Sequence, residues 1–365
     1  MKTIGRRKMK RINNIVFIAL LLSVSLLSGC QSGICALPDV VYVDVESKEE
    51  SLTVSSGEIL DLGIVGIQYF QTYGPYMVVV SASGEGFVKV LEKDPPYRLL
   101  GSFFRKGNGP GEMPMLCLPE VFGVEEDGDI YAEFDNRYGS LVRFNITQSL
   151  SEGRTVSSHV GTTRDRTFVS INLGEDGVFY KEMTESKDAQ IRYVERNGTK
   201  NIPAPMARLN TAVLANKEDD GFRFNVLSST VRYHPGLRRF MEASAQLNTI
   251  HLYDLDGPFS RTVCIGKKIN RYNDIAELPL ADRPLTCMDA KGYGDYSAVL
   301  YLDVPMSEIA HPSKTPTVLL VSWDGSSVRK IRLPENVTSI DVDLASGKLY
   351  TLNSLTETLR VYTLQ

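Results

Sequence analysis

The chain of 365 residues is 42% hydrophobic and 23% charged, a balance that excludes a disordered, collagen-like or multi-span membrane protein. It leaves room for two conventional domains or one large repeat-built domain. The formal charge of −4 joins two unlike parts: residues 1–29 carry six bases (Lys2, Arg6, Arg7, Lys8, Lys10, Arg11) and no acid, so the remainder holds 34 basic against 44 acidic side chains, a net −10. A body of that charge lacks the Lys/Arg surface that nucleic acid demands, and no nucleic-acid partner is expected.

Lys2 to Arg11 is a basic head, Ile15 to Leu27 is an apolar run interrupted by Ser23 and Ser25, and Leu27-Ser28-Gly29-Cys30 closes it. The run is shorter than the roughly 20 apolar residues that cross a hydrocarbon core, so it reads as a secretory signal. The four closing residues resemble the bacterial lipobox. By that resemblance Gly29 is the last residue removed, and Cys30 becomes the lipidated first residue of the mature chain, attached to a membrane through its acyl groups. Gln31 stands where an Asp would favour the inner membrane, and no acidic run follows Cys30. The resemblance therefore implies an outer-membrane lipoprotein facing the periplasm. The expected divisions are a signal over residues 1–29, a lipidated tether over 30–39 and a folded body over 40–365. Of the other cysteines, Cys35 falls in the tether and Cys117, Cys264 and Cys287 in the body. An exported compartment permits disulfides, but the spacing selects no pairing, and buried free thiols are the expectation.

Beyond the tether helical periodicity is almost absent. What recurs is a short apolar or alternating run, a turn and a second such run about a dozen residues on. Residues 76–80, 129–134, 178–183, 239–243, 298–302 and 348–352 are the first runs; 87–91, 141–144, 191–194, 249–253, 317–321 and 359–362 are their partners. Asp127-Gly128 and Asp176-Gly177 precede a first run, while Asn197-Gly198, Asp256-Gly257 and Asp324-Gly325 follow a second one. These dipeptides supply the positive φ of tight turns. Six such pairs at propeller-like intervals predict an all-β, six-bladed β-propeller, in which radial repetition protects the strand edges. The lone run Val40–Val45 is expected to complete the last blade and close the ring.

Gly107-Asn108-Gly109-Pro110-Gly111-Glu112 has neither the G-x-G-x-x-G spacing of a dinucleotide site nor the G-K-[ST] end of a P-loop, and Pro114 and Pro119 disfavour a following helix. It reads as a tight connection between blades. Together with Pro119, Phe122-Gly123-Val124, Asp127 to Tyr131, Asp135 and Phe144, it resembles the NHL-type blade and the TolB-like, six-bladed propeller lipoproteins of Bacteroidetes. Tyr138 and Ser140 stand where that pattern has Asn and Arg, so the resemblance implies the fold and the envelope setting without the ligand or RNA role of NHL proteins.

Catalytic motifs are missing from the sequence: there is no G-x-S-x-G, H-E-x-x-H or Cys-x-x-Cys. His159, His234, His251 and His311 are scattered and read as structural. Glu125-Glu126-Asp127 and Glu218-Asp219-Asp220 lack the alternating spacing of a calcium loop and read as solvated turns. No metal or other cofactor is expected, and no catalytic residue is assigned. The long connections 271–283 and 302–317 are the candidates for partner recognition. The expected function is a binding or scaffold module for an envelope protein, peptide or glycan. A metal-dependent hydrolase or lactonase with a site in the propeller channel is the alternative.

Overall fold

The computed structural model describes residues 34–47, 51–136, 139–185, 190–214 and 226–365. Three short strands come first: β1 (Asp39–Val43), β2 (Ser51–Leu52) and β3 (Glu58–Ile59). Blade 1 holds β4 (Ile67–Tyr73), β5 (Tyr76–Ser81), β6 (Val88–Glu92) and β7 (Leu99–Phe103). A two-stranded parallel ribbon, β8 (Arg105–Lys106) and β9 (Glu112–Met113), leads to blade 2, made of β10 (Pro119–Val124), β11 (Ile130–Asp135), β12 (Ser140–Asn145) and β13 (Ser157–Thr162). Helix α1 (Ile146–Glu152) sits between β12 and β13, started by Asn145, whose side chain accepts from the Gln148 amide at 2.8 Å.

Blade 3 is β14 (Thr167–Asn172), β15 (Val178–Met183), β16 (Gln190–Arg196) and β17 (Thr199–Asn201), followed by α2 (Ala204–Leu214). Blade 4 is β18 (Ser229–His234), β19 (Arg239–Ser244), β20 (Thr249–Asp254) and β21 (Ser260–Ile265), followed by α3 (Tyr272–Ala276). Blade 5 contains β22 (Pro284–Gly292), β23 (Tyr296–Pro305), β24 (Thr317–Ser322) and β25 (Val328–Arg332). Blade 6 contains β26 (Ser339–Asp343), β27 (Lys348–Asn353) and β28 (Thr358–Thr363). The chain is thus an all-β, six-bladed β-propeller, and the six predicted pairs of runs are the second and third strands of its six blades. These strands are buried on both faces because each sheet packs between two neighbours; β5, for example, is buried from Met77 to Ser81. The core consequently lies between blades, as where Ile171, Phe179 and Val194 of blade 3 meet Val231, Phe240 and Tyr253 of blade 4.

The ring is closed by the N-terminal segment, but through a different strand from the one the sequence suggested. The Val40–Val45 run forms β1 and pairs in parallel with β21 on the outer edge of blade 4, Val41 opposite Val263. The segment then crosses to blade 5, where β2 pairs in parallel with β25. It finally reaches blade 6, where β3 pairs antiparallel with β28 and supplies the missing fourth strand. The reason is the position of the chain before β1. Cys35 and Leu37 are buried in the apolar layer between blades 3 and 4, and the Leu37 amide donates to Thr262 Oγ1 at 2.8 Å. An entry there leaves blade 4 as the first edge within reach. Lys330 Nζ holds the strap by donating to the carbonyls of Asp44 and Ser47 at 3.1 and 2.9 Å.

Antiparallel order fixes the two faces of the ring. The turns between first and second and between third and fourth strands share one face. The second-to-third turns and the connections between blades share the other. The five Asp-Gly and Asn-Gly dipeptides that flank the predicted runs fall on the first face; the long connections 104–118, which holds Asn108-Gly109, 202–228, 266–283 and 306–316 fall on the second. Among the described residues no helix is long and apolar enough to cross a membrane.

Candidate functional site

The channel is built from the first strand of each blade, and it is pinched. The first strands of blades 2 and 4 touch each other, while β14 of blade 3 packs against β11 and β12. Arg232 of blade 4 spans the gap: its Nη1 lies 3.2 Å from Glu120 Oε2 of blade 2, and its Nε donates to the Ala290 carbonyl of blade 5 at 2.8 Å. Beside it Lys291 is fully buried, with Nζ 3.4 Å above the Tyr69 ring and 3.9 Å from Asp289 Oδ2. Burial pushes the Lys291 amine down to about 8, against the opposing pull of Asp289. Asp289 in turn accepts from Ser339 Oγ at 2.6 Å and the Ile340 amide at 3.1 Å.

Asp341 of blade 6 accepts from the Thr72 amide at 2.8 Å, from the Thr72 hydroxyl and from Tyr293 Oη at 2.8 Å. Burial raises its carboxyl despite those donors. The carboxylates that inner strands bring to the channel are therefore engaged with bases, hydroxyls and amides. Among the described residues no group of three or more His, Cys, Asp or Glu is placed to hold a metal ion.

The Asp341 network is the floor of a cleft of about 690 Å³ on the short-turn face, between blades 5, 6 and 1. That volume is within the range that holds small ligands. Its walls come from turns and strand ends far apart in sequence: Tyr73 and Gly74 at the end of β4, Lys93 after β6, Tyr293 to Tyr296 at the β22–β23 turn, Ser322, Ser327 and Arg329 around the β24–β25 turn, and Asp343 to Ala345 at the end of β26. The Tyr293 and Tyr296 rings stack with centroids 4.7 Å apart. Tyr296 Oη is fixed by the Val342 carbonyl at 2.9 Å, and the Tyr293 carbonyl accepts from Trp323 Nε1 at 2.8 Å. Lys93 Nζ meets Asp343 Oδ2 at 2.9 Å. Burial pushes the Asp343 carboxyl up, but the Lys93 and Ser346 hydrogen bonds outweigh it and hold the group below its usual value. The cleft thus offers locked aromatic walls, a charge pair and exposed hydroxyls. That set can recognise a polar ligand.

A second polar cluster is sealed between blades 3 and 4. Arg192 Nε meets Glu242 Oε1 and Oε2 at 2.7 and 2.9 Å, Lys181 Nζ lies 3.6 Å from Oε2, and Tyr253 and Ser229 donate to the same carboxylate. Burial and the neighbouring Arg192 push Lys181 down to about 7. The cluster is fully enclosed and serves the packing of the two blades.

The remaining sequence candidates separate clearly. In the Gly-rich segment, the Glu112 carboxylate folds back and accepts from the Gly109 amide at 2.8 Å. It fills the space that a Cβ on Gly107 would need, while Gly111 adopts a φ of +74°. The segment does connect blades 1 and 2, within the long connection 104–118 and not as a tight turn. His159 and His311 are exposed, and His251 is buried and bonded to Thr262 Oγ1 at 3.0 Å. His234 accepts from the Leu237 amide at Nδ1, which leaves Nε2–H to donate to the Gly294 carbonyl at 2.8 Å. Asp127 caps its own turn through the Asp129 amide, and Glu125 pairs with Arg143 at 2.9 Å. Cys35, Cys117, Cys264 and Cys287 are buried, and none of them is joined in a disulfide. The connections 271–283 and 302–317 do come together: the Met306 amide donates to the Arg283 carbonyl at 2.9 Å. Gly29, Cys30 and Glu218-Asp219-Asp220 lie outside the described residues.

Fold and cleft define a six-bladed propeller with a ligand-sized opening at one mouth of its channel. No protein-family model matches the chain, and no curated protein matches it. Among solved structures it is similar to a Bacteroides fragilis protein inferred to be exported, with a TM-score of 0.52, 12% identity and coverage of 89% of this chain and 99% of that one. It is also similar to a member of the DUF4221 family from Bacteroides vulgatus, with a TM-score of 0.52, 13% identity and coverage of 87% and 99%. At these identities the likeness is one of fold.

Proposed function

We infer that this chain is a TolB-like or NHL-like propeller lipoprotein of the cell envelope, anchored through Cys30 at the outer membrane and facing the periplasm. Its propeller acts as a binding module for a protein, peptide or glycan. The cleft between blades 5, 6 and 1 carries the reading: it is preformed, open, and walled by tyrosines locked through their hydroxyl and carbonyl groups. Such rigid aromatic walls present contact area at little entropic cost. The basic head, apolar run and L-S-G-C closure support the anchor, and the inferred export of the structurally similar Bacteroides fragilis protein is in keeping with it.

The test is a titration of envelope oligosaccharides and peptides onto the signal-free protein, repeated with Tyr73→Ala and Arg329→Ala. Both residues face the cleft from its rim. Binding weakened by about tenfold or more, with an unchanged melting temperature, is the expected result. Wild-type affinity in both variants would remove the cleft from the function. For the anchor, Cys30→Ala is expected to release the protein from membranes or stall its precursor.

A further inference from the structure

The geometry points to the long-connection face of the propeller as a surface that lies against the lipid bilayer, with the cleft held on the far side. The inference rests on the lipidation of Cys30. Between Cys30 and Ile34 there are three residues, so four residue steps, at most about 14 Å of extended chain, separate the acylated residue from the folded body. Cys35 and Leu37 are locked between blades 3 and 4, and the Ala36 carbonyl accepts from Arg208 Nε of α2 at 3.2 Å. Helix α2 belongs to the long-connection side, where its Asn210 covers the outer edge of β16 by bonding both the amide and the carbonyl of Arg192 at 2.8 Å. The body is therefore moored short, at the rim beside α2, and cannot wander far from the membrane.

The face next to that mooring carries the apolar side chains a bilayer would take. Val65, Met115, Leu118, Ile202, Leu280 and Leu355 are all exposed, and each belongs to a connection between blades or to a second-to-third turn. The short-turn face exposes fewer, Leu99, Val124 and Leu237. Charge does not compete with this contact. In the connection after β21, the exposed bases Lys267, Lys268 and Arg271 are matched by Asp274, Glu277 and Asp282, so the contact is apolar and persists at high salt. The consequence for binding is directional: the cleft opens away from the membrane, toward ligands in the compartment.

The experiment uses the full acylated protein in vesicles of phosphatidylethanolamine and phosphatidylglycerol, with an environment-sensitive fluorophore on Leu280→Cys, Leu355→Cys or Leu237→Cys. The native body thiols are buried and stay unlabelled. The expected result is a blue-shifted emission and several-fold weaker quenching by an aqueous quencher at positions 280 and 355, with no change at 237. Equal quenching at all three positions overturns the orientation while leaving the anchor intact. Failure of the wild-type protein to join vesicles overturns the anchor, and the orientation with it. Protection at 280 and 355 in native membranes but not in pure-lipid vesicles assigns the face to a protein and refutes the lipid contact.

Discussion

Replacing Glu242 by glutamine tests whether the cluster between blades 3 and 4 is an ion network or merely a polar packing element. The glutamine keeps the volume and removes the charge that faces Arg192 at 2.7 Å and Lys181 at 3.6 Å, both fully buried. Burial alone would raise the Glu242 carboxyl; the charges of Arg192 and Lys181 outweigh it and hold the group well below its usual value. Removing one partner of a buried pair typically costs about 3–5 kcal/mol, because the other charge stays buried without compensation. Lys181 can escape by releasing its proton, since it already titrates near 7 and loses the group that supports its charge. Arg192 cannot. The loss therefore falls on Arg192, and it should sit near the lower end of that range, about 3 kcal/mol. At roughly 2 °C per kcal/mol for a domain of this size, melting falls by about 6 °C. Urea denaturation and thermal melting measure it, and replacing Glu242, Arg192 and Lys181 together by apolar residues should recover most of the loss. A change under about 1 kcal/mol for Glu242→Gln would refute the ion-network account.

Three further outcomes follow from the same packing. His251 is pushed by burial from 6.5 down to about 4, so the unfolded chain takes up its proton before the folded one does. Stability from this residue is complete above pH 6.5 and declines as pH falls from 6.5 toward 4, by up to about 3 kcal/mol; pH-dependent melting of His251→Gln should flatten that limb, and an unaltered acid limb would argue against it. Gly107→Ala places a methyl group against the Glu112 carboxylate. It should loosen the 105–113 loop, seen as faster amide exchange there, and the double variant Gly107→Ala with Glu112→Ala should restore part of the protection. Leu37→Ala empties a buried site between blades 3 and 4, at a cost of about 2–5 kcal/mol. Limited proteolysis should then cut the 34–60 strap earlier than in wild type, and unchanged cleavage would show that the strap is held by β1 to β3 alone.

The second and third strands of every blade were legible because both of their faces are buried, which writes apolar runs such as Met77–Val80 and Val318–Val321 into the sequence. The first strands were not. They carry Glu120, Arg232, Asp289, Lys291 and Asp341, whose burial is compensated by partners on other blades, and local patterning reads such residues as solvated. The same blindness hid Lys181 and Glu242 inside strands that were otherwise recognised. Fourth strands such as Thr199–Asn201 are short and exposed and leave no periodic trace. The cleft was invisible because Tyr73, Lys93, Tyr293, Arg329 and Asp343 lie in turns and strand ends of three blades. What the sequence did mark was the face, since the five Asp-Gly and Asn-Gly turns that flank its paired runs all lie on the side where the cleft opens.

The strap shows where alternation stops being informative. Val40–Val45 alternates well enough to be read as a strand, but alternation says nothing about which sheet edge receives it. That choice is made by Cys35 and Leu37, two apolar residues too few to form a pattern, which fix the entry between blades 3 and 4. The ring is then latched by Glu58–Ile59, a two-residue strand with no signal of its own. Because the same 25 or so residues run from Cys35 to Ile59, the entry between blades 3 and 4 and the closure of the ring are coupled. Trimming the chain to the first strand of blade 1 would remove the fourth strand of blade 6, exposing the edge of β28. A soluble form fit for binding measurements must therefore keep the segment from Ile34 onward, and a form starting at Ile67 should be less stable and prone to associate through that open edge, as light scattering would report.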